Sequence, residues 1–133
     1  MVDEPIDDAE PAWPAQWLRG ALELCVLALV AERETYGYAI SQRLAAARFG
    51  RVKGGTLYPI LLRLEEDGLV ASSWHAGEGG PGRKLFRATP AGRAELRRRR
   101  EDWAAFTATT EALLSEALGE TTTGGLAQGR RVG

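Results

Sequence analysis

Residues 54–68, with the sequence GGTLYPILLRLEEDG, constrain the fold of this chain more than any other stretch. Their apolar side chains recur at the spacing of one face of an amphipathic helix, at Leu57, Ile60, Leu61 and Leu64. Thr56, Pro59 and Arg63 lie on another side at the same spacing, so this flank can contact something other than the core. A short helix with two leading glycines and a polar flank can enter the major groove of DNA, although an ordinary core helix would show the same stripe.

Both ends of this helix carry sequence signals. Thr56 is predicted to be the N-cap, because Pro59 then lies in the first turn, where its missing N–H costs little. Gly68 is predicted to end the helix in the left-handed conformation, with Leu69 folding back onto the helix.

The distribution of charge favours a nucleic-acid partner, although the net charge of the chain is −1. Residues 33–100 carry fourteen Lys and Arg against six Asp and Glu, a net charge of +8. Residues 1–32 and 101–133 carry net charges of −6 and −3. The basic charge therefore surrounds the helix described above, as expected for a surface that binds phosphate.

The sequence offers no set of side chains for catalysis or metal binding. Its one cysteine, Cys25, lies in an apolar run, and its one histidine, His75, has no partner at metal-ligand spacing. No acid–base pair or activated nucleophile can be assembled, so neither an enzyme nor a cofactor is expected. The acidic start lacks the features of a signal peptide, and no segment reaches about 18 apolar residues. These features predict a cytoplasmic protein without membrane contact.

The rest of the chain is predicted to contain further helices and one hairpin. Residues 17–32 are apolar on nearly all sides, which favours packing against a partner subunit as well as the core of the same chain. Thr35 is a candidate N-cap for a second helix. Residues 69–75 and 83–88 alternate loosely and are interpreted as a hairpin, whose glycine-rich tip carries Arg83 and Lys84.

A long C-terminal helix is predicted to begin at Thr89 and Pro90, which suit its cap and its first position. Its apolar residues approximate a coiled-coil seam, at Leu96, Trp103, Phe106, Leu113 and Ala117. Thr110 interrupts the seam, and only two to three heptads exist. The helix is therefore expected to pack against a partner rather than to form a free-standing coiled coil.

Three helices, a hairpin and a long helix follow the order of a winged helix-turn-helix, a mainly α (α+β) fold. In this respect the chain resembles the PadR family of bacterial transcriptional regulators. The resemblance is carried by residues 36–40 (YGYAI), 55–69 (GTLYPILLRLEEDGL) and 82–92 (GRKLFRATPAG). Gly54 and Leu85 depart from the usual residues of the family.

The resemblance implies a DNA-binding domain over residues 16–88 and a dimerisation helix over residues 89–119. A disordered acidic lead of residues 1–15 and a disordered tail of residues 120–133 are expected to flank them. It also implies a homodimer that binds a pseudo-palindromic operator in double-stranded DNA, usually as a repressor. The candidate DNA contacts are Tyr38, Arg51, Lys53, Gly55, Thr56, Tyr58, Arg63, Arg83 and Lys84. The candidate dimer contacts are Trp17, Leu18, Leu22, Leu96, Trp103, Phe106 and Leu113.

Three alternatives remain open from the sequence. Family members with a single C-terminal helix include multidrug sensors in which a Trp matching Trp103 and its two-fold mate sandwich a small planar aromatic ligand. Trp103 could equally serve only as a packing anchor of the dimer. Similarly, the Tyr58 ring could pack in the core instead of contacting DNA. The alternative function is a winged-helix protein-interaction module without DNA binding, which the acidic lead and the near-zero net charge favour.

Overall fold

The computed structural model of the chain describes residues 10–77 and 80–120, and for residues 80 and 81 only the backbone. The elements follow in the order α1 (Ala15–Glu32), β1 (Thr35–Tyr36), α2 (Gly37–Ala46), α3 (Gly54–Glu66), β2 (Val70–Gly77), β3 (Gly80–Ala88) and α4 (Pro90–Ala117). The strands form one antiparallel sheet in the order β1-β3-β2. This arrangement confirms the predicted mainly α fold with a winged helix and a long C-terminal helix. Most of the expected lead and tail, and the hairpin tip at residues 78–79, lie outside the described residues.

The chain divides into two compact units, residues 1–97 and residues 98–133. The first unit holds α1 to α3, the sheet and the first turns of α4, and the second holds the remainder of α4. Within the part of the chain that the structure describes, no helix has the length and apolar character needed to cross a membrane.

The core of the first unit lies where three helices meet one face of the sheet. Each element contributes side chains with little or no exposed surface, which are Val26, Leu27, Val30, Ile40, Leu44, Leu57, Leu61, Leu64, Val70 and Phe86. The apolar stripe predicted for α3 is thus confirmed, with Ile60 also buried. Full burial of one such side chain stabilises the fold by about 1.5–3 kcal/mol, so this cluster is the main stabilising contribution.

The predicted start of α3 was wrong. The helix begins at Gly54, two residues before Thr56, and its N-cap is Lys53, whose side chain makes no capping hydrogen bond. The carbonyl of Lys53 instead accepts hydrogen bonds from the N–H groups of Thr56 and Leu57, both at 2.9 Å. The prediction put Pro59 in the first turn, whereas Pro59 lies inside α3, which starts earlier at Gly54 despite the low helix propensity of glycine.

The predicted end of α3 is confirmed. Gly68 has a φ of 78°, in the left-handed region that favours glycine. The N–H of Leu69 donates to the carbonyl of Leu64 at 2.9 Å, and the N–H of Gly68 donates to that of Glu65 at 3.0 Å. These two bonds form a Schellman motif, which turns the chain into β2.

The predicted cap of α4 is also confirmed, and it connects two elements. The hydroxyl of Thr89 accepts a hydrogen bond from the N–H of Gly92 at 3.0 Å and donates one to the carbonyl of Gly68 at 2.6 Å. Pro90 is the first helical residue. One side chain therefore caps α4 and ties its start to the end of α3.

The predicted N-cap of the second helix was wrong. Thr35 and Tyr36 pair with Phe86 and Leu85 as the short strand β1, and α2 begins at Gly37. Here a long-range strand pairing overrides the local capping preference of threonine. As a result, the sheet has a third strand that the sequence analysis did not predict.

Candidate nucleic-acid interface

Tyr58 lies at the junction of α3, the start of α2 and the sheet. Its ring centroid is 6.4 Å from that of Phe86, with the planes tilted by 48°. A Cβ on Gly37 would overlap the Tyr58 hydroxyl, so this position has room only for glycine. The ring nevertheless keeps 48% of its surface exposed. Tyr58 is therefore packed on one side and accessible on the other.

The start of α2 contributes a second exposed tyrosine and anchors the segment that precedes α3. Gln42 donates a hydrogen bond from Nε2 to the exposed hydroxyl of Tyr38 at 3.1 Å. The hydroxyl of Ser41 donates to the carbonyl of Val52 at 2.8 Å. Because Val52 lies between Arg51 and Lys53, this bond fixes the backbone that carries both cations.

The first turn of α3 presents an open, basic surface. Arg51, Lys53, Gly55 and Thr56 are all exposed. A Cβ on Gly55 would meet nothing within 4 Å, so the backbone at this position is accessible. The partial positive charge of a helix N-terminus adds to the Lys53 ammonium, and both favour an anionic group at this position.

Arg83 and Lys84 stand on β3 rather than at the hairpin tip, so the predicted position was wrong. They pair with His75 and Trp74 of β2, because the strands continue toward the tip through Gly80. The guanidinium carbon of Arg83 lies 4.4 Å from the centroid of the Tyr36 ring, and Nζ of Lys84 lies 5.7 Å from that of Phe86. These aromatic rings hold the two cations along the strand.

Sequence reasoning missed Trp74. This residue keeps 70% of its surface exposed on β2, opposite Lys84. Its Cε3 would lie 3.6 Å from a Cβ built on Gly82, so the indole covers that glycine. A signal was available, because Trp74 is the one aromatic residue of an alternating strand whose hairpin partner strand is basic.

Arg63 of α3 forms an ion pair with a residue of α1. Its guanidinium donates to Oε1 of Glu23 on α1 at 3.1 Å. Both side chains are partly exposed, so the ion pair contributes at most about 1 kcal/mol. A phosphate group would therefore compete with Glu23 for Arg63.

Cys25 is packed against the core, and burial raises the pKa of its thiol. The reactive thiolate is therefore less populated near neutral pH than for an exposed cysteine. Burial and the raised pKa make Cys25 an unreactive thiol.

The second unit carries the tryptophan singled out in the sequence. The ring centroid of Trp103 lies 5.7 Å from that of Phe106, with the planes tilted by 46°, and 40% of the Trp103 surface is exposed. Phe106 and Leu113 are more exposed than Trp103. Thr110 turns its hydroxyl back to the carbonyl of Phe106 at 2.9 Å, so this polar residue in the seam has its hydroxyl satisfied within the helix.

The candidate dimer contacts in the first unit fall into two groups. Leu22 is buried in the core of its own chain, and Leu96 packs against the same core. Leu18 is partly buried, and Trp17 is exposed.

Comparison with known proteins gives one consistent result. The transcriptional regulator PadR-like family matches residues 26–98. The chain is 43% identical over 81 residues to transcriptional regulator Rv3488 of Mycobacterium tuberculosis, which covers 61% of this chain and 74% of that relative.

Solved structures agree with this match. A PadR family transcriptional regulator from Eggerthella lenta superposes with a TM-score of 0.69 at 35% identity, covering 74% of this chain and 86% of its own. A PadR-like transcriptional regulator from Bacillus cereus superposes with a TM-score of 0.67 at 34% identity, and the match covers 74% of this chain and 96% of the other. The chain therefore belongs to the PadR-like family of transcriptional regulators.

Proposed function

We propose that this protein represses transcription in the cytoplasm by binding double-stranded DNA as a homodimer. The observation that carries the proposal is the group of exposed polar and cationic side chains around the first turn of α3, in the basic part of the chain. Thr56 and Tyr58 offer hydroxyls to base edges or phosphates, and the open backbone at Gly55 allows close approach. α3 enters the major groove in this proposal.

The surrounding cations and Tyr38 fix the protein on the DNA backbone. Arg51 and Lys53 contact phosphates before α3, and Tyr38 contacts the flanking strand. Arg83 and Lys84 run along phosphates or reach the minor groove, beside the exposed indole of Trp74. Arg63 joins these contacts when a phosphate displaces Glu23.

The exposed apolar side chains of α4 support dimerisation. Phe106 and Leu113 are solvent-exposed in the single chain, and a helix with such a face gains most of its stability by packing. A two-fold axis at this helix presents two copies of α3 to half-sites separated by about one helical turn of DNA or a multiple of it. Occupancy of such a site in a promoter blocks transcription.

Selection of genomic fragments bound by the full chain tests this function. We expect an inverted repeat in the selected fragments and nanomolar binding that weakens linearly in log–log terms with salt. Analytical ultracentrifugation should show a dimer. A stable monomer, or no salt-dependent retardation of any fragment, would contradict the proposal and favour a protein-interaction module.

Trp103 is proposed to bind a small planar aromatic ligand together with its two-fold mate. The support is a partly exposed indole, next to the Phe106 ring, on the face proposed for dimerisation. Two facing indoles provide stacking surfaces on both sides of a flat molecule. Release of the operator by such a ligand would make the repressor inducible.

Replacement of Trp103 by alanine should weaken the binding of a planar dye such as acridine orange by about tenfold, because two stacking contacts are lost. The fluorescence anisotropy of the dye measures this change without relying on the protein's own tryptophans. Trp74→Phe is the matched control, since it removes an exposed indole from the hairpin and should leave dye binding unchanged. Equal dye affinities of wild type and Trp103→Ala would exclude Trp103 as the ligand site.

A further inference from the structure

The segment before α1 is anchored on the connection between α2 and α3. The N–H of Ala12 donates to the carbonyl of Arg48 at 2.9 Å. The ring of Pro11 lies against Gly50, where a Cβ would come within 3.1–3.3 Å of three ring atoms. Gly50 is buried and has a φ of 82°, so a residue with a side chain would disturb both its backbone and this contact.

The connection at this anchor has an unusual backbone. Arg48 closes α2 with a φ of 73°, in the left-handed region where glycine is normally found. Its N–H donates to the carbonyl of Ala45 at 2.9 Å, and the N–H of Phe49 donates to that of Leu44 at 3.0 Å. A residue with a Cβ is disfavoured in this conformation, so the use of arginine here suggests a role for its charge.

The sequences on the two sides of the anchor carry opposite charges. Residues 1–10 contain no Lys or Arg and five acidic residues, which are Asp3, Glu4, Asp7, Asp8 and Glu10. The exposed cations nearest in sequence to Gly50 are Arg48, Arg51 and Lys53, which we term the basic link. An extended chain spans about 3.3–3.6 Å per residue, so Asp7 and Asp8 can reach about 10–14 Å from Pro11. That reach is comparable to the Debye length at physiological salt.

We propose that the acidic residues 1–10 bind the basic link of the same chain and compete there with DNA phosphate. The anchor at Pro11 and Ala12 keeps these carboxylates at a high effective concentration near the basic link. The contact itself follows from the anchor and the charges, whereas its effect on DNA binding rests on the function proposed above.

The competition has a characteristic salt dependence. DNA that binds a free cation on the protein gains affinity from the counterions released, which gives a steep dependence on salt. If an acidic side chain of the same molecule already neutralises that cation, DNA displaces the side chain as well. The affinity is then lower at low salt, and its dependence on salt is shallower.

Zero-length cross-linking of the full chain tests the contact without DNA. The sequence contains two lysines, Lys53 and Lys84, so a carbodiimide can join the acidic segment to one or the other. We expect peptides linking residues 1–10 to Lys53 to exceed those linked to Lys84 several-fold. Concentrated salt should suppress them, as should Ala12→Pro, which removes the anchoring N–H. A yield at Lys53 that is no higher than at Lys84, or that responds to neither treatment, would overturn the proposal.

The second experiment measures binding to a fluorescent mixed-sequence duplex of about 30 base pairs at about 50 and 500 mM salt. The neutralised variant carries Asp3→Asn, Glu4→Gln, Asp7→Asn, Asp8→Asn and Glu10→Gln. A control variant neutralises five acids of the second unit, with Glu101→Gln, Asp102→Asn, Glu111→Gln, Glu116→Gln and Glu120→Gln. The first variant should bind the duplex about tenfold more tightly than wild type at the lower salt and equally at the higher salt. The reason is that a cation of the basic link, no longer paired with an acidic side chain of the same molecule, becomes available to DNA phosphate. The control should stay close to wild type.

The two experiments separate the proposals. A cross-link at Lys53 in a protein that binds no duplex would support the intramolecular contact and reject the DNA-binding function. Duplex binding that is identical in wild type and the neutralised variant, without a preferential cross-link at Lys53, would reject the intramolecular competition alone.

Discussion

Replacing Gly92 with alanine is expected to destabilise the first unit by about 3 kcal/mol or more. Gly92 lies in the first turn of α4, where a Cβ would overlap the carbonyl oxygen of Leu69. That oxygen also accepts a hydrogen bond from the N–H of Thr89 at 3.0 Å. The neighbour is backbone and cannot rotate away, so α4 would have to move from the end of α3. Urea denaturation followed by circular dichroism measures the change in the free energy of unfolding.

Gly20→Ala is the matched control for this experiment. Gly20 is an exposed glycine within α1, and a Cβ there would meet nothing within 4 Å. Because alanine favours the helix over glycine, this variant should be more stable by up to about 1 kcal/mol. Similar free energies of unfolding for the two variants would show that α4 does not approach Leu69 as described.

Reversing the charge of Lys53 is expected to weaken DNA binding by about 100-fold at about 0.1 M salt. In a homodimer, Lys53→Glu removes two phosphate contacts, so the slope of log affinity against log salt should fall by about two. The fold should remain intact, because Lys53 caps α3 through its backbone carbonyl and its side chain is exposed. A carboxylate near a helix N-terminus is itself favourable. Fluorescence anisotropy over a series of salt concentrations measures both quantities.

Arg33→Glu provides the same change of charge at another place. Arg33 is exposed and precedes β1, and the pairing of Thr35 with Phe86 puts it at the end of the sheet away from the hairpin tip. This variant should bind DNA within about threefold of wild type, since distant surface charges are screened. If the two reversals weakened binding equally, the first turn of α3 would not be the phosphate-binding surface.

Local sequence patterns predicted the features of this fold that depend on neighbouring residues. The apolar stripe of α3, its end at Gly68 and the cap of α4 at Thr89 all depend on contacts within a few positions. Periodicity and turn chemistry report such contacts directly. The resemblance of three short motifs to a known family then gave their arrangement as a winged helix.

Features that depend on residues distant in the sequence were missed, because periodicity and turn chemistry report only contacts within a few positions. Three such contacts join segments 39 to 51 residues apart: the pairing of Thr35 with Phe86, the ion pair between Arg63 and Glu23, and the packing of Pro11 on Gly50. Nothing in the local sequence specifies such partners. Gly37 shows this most clearly, because its lack of a side chain is explained only by the ring of Tyr58.

The hydroxyl of Thr89 has a mechanical consequence for a regulator. It bonds the carbonyl of Gly68, just after α3, and the N–H of Gly92 in the first turn of α4, and Gly92 also lies against the backbone of Leu69. At Gly92 the approach is backbone to backbone, so no side chain between Gly92 and Leu69 can rotate to absorb a displacement. A tilt of the first turn of α4 would therefore also move the chain at the end of α3, so under the function proposed above the orientation of α3 is the quantity on which regulation would act.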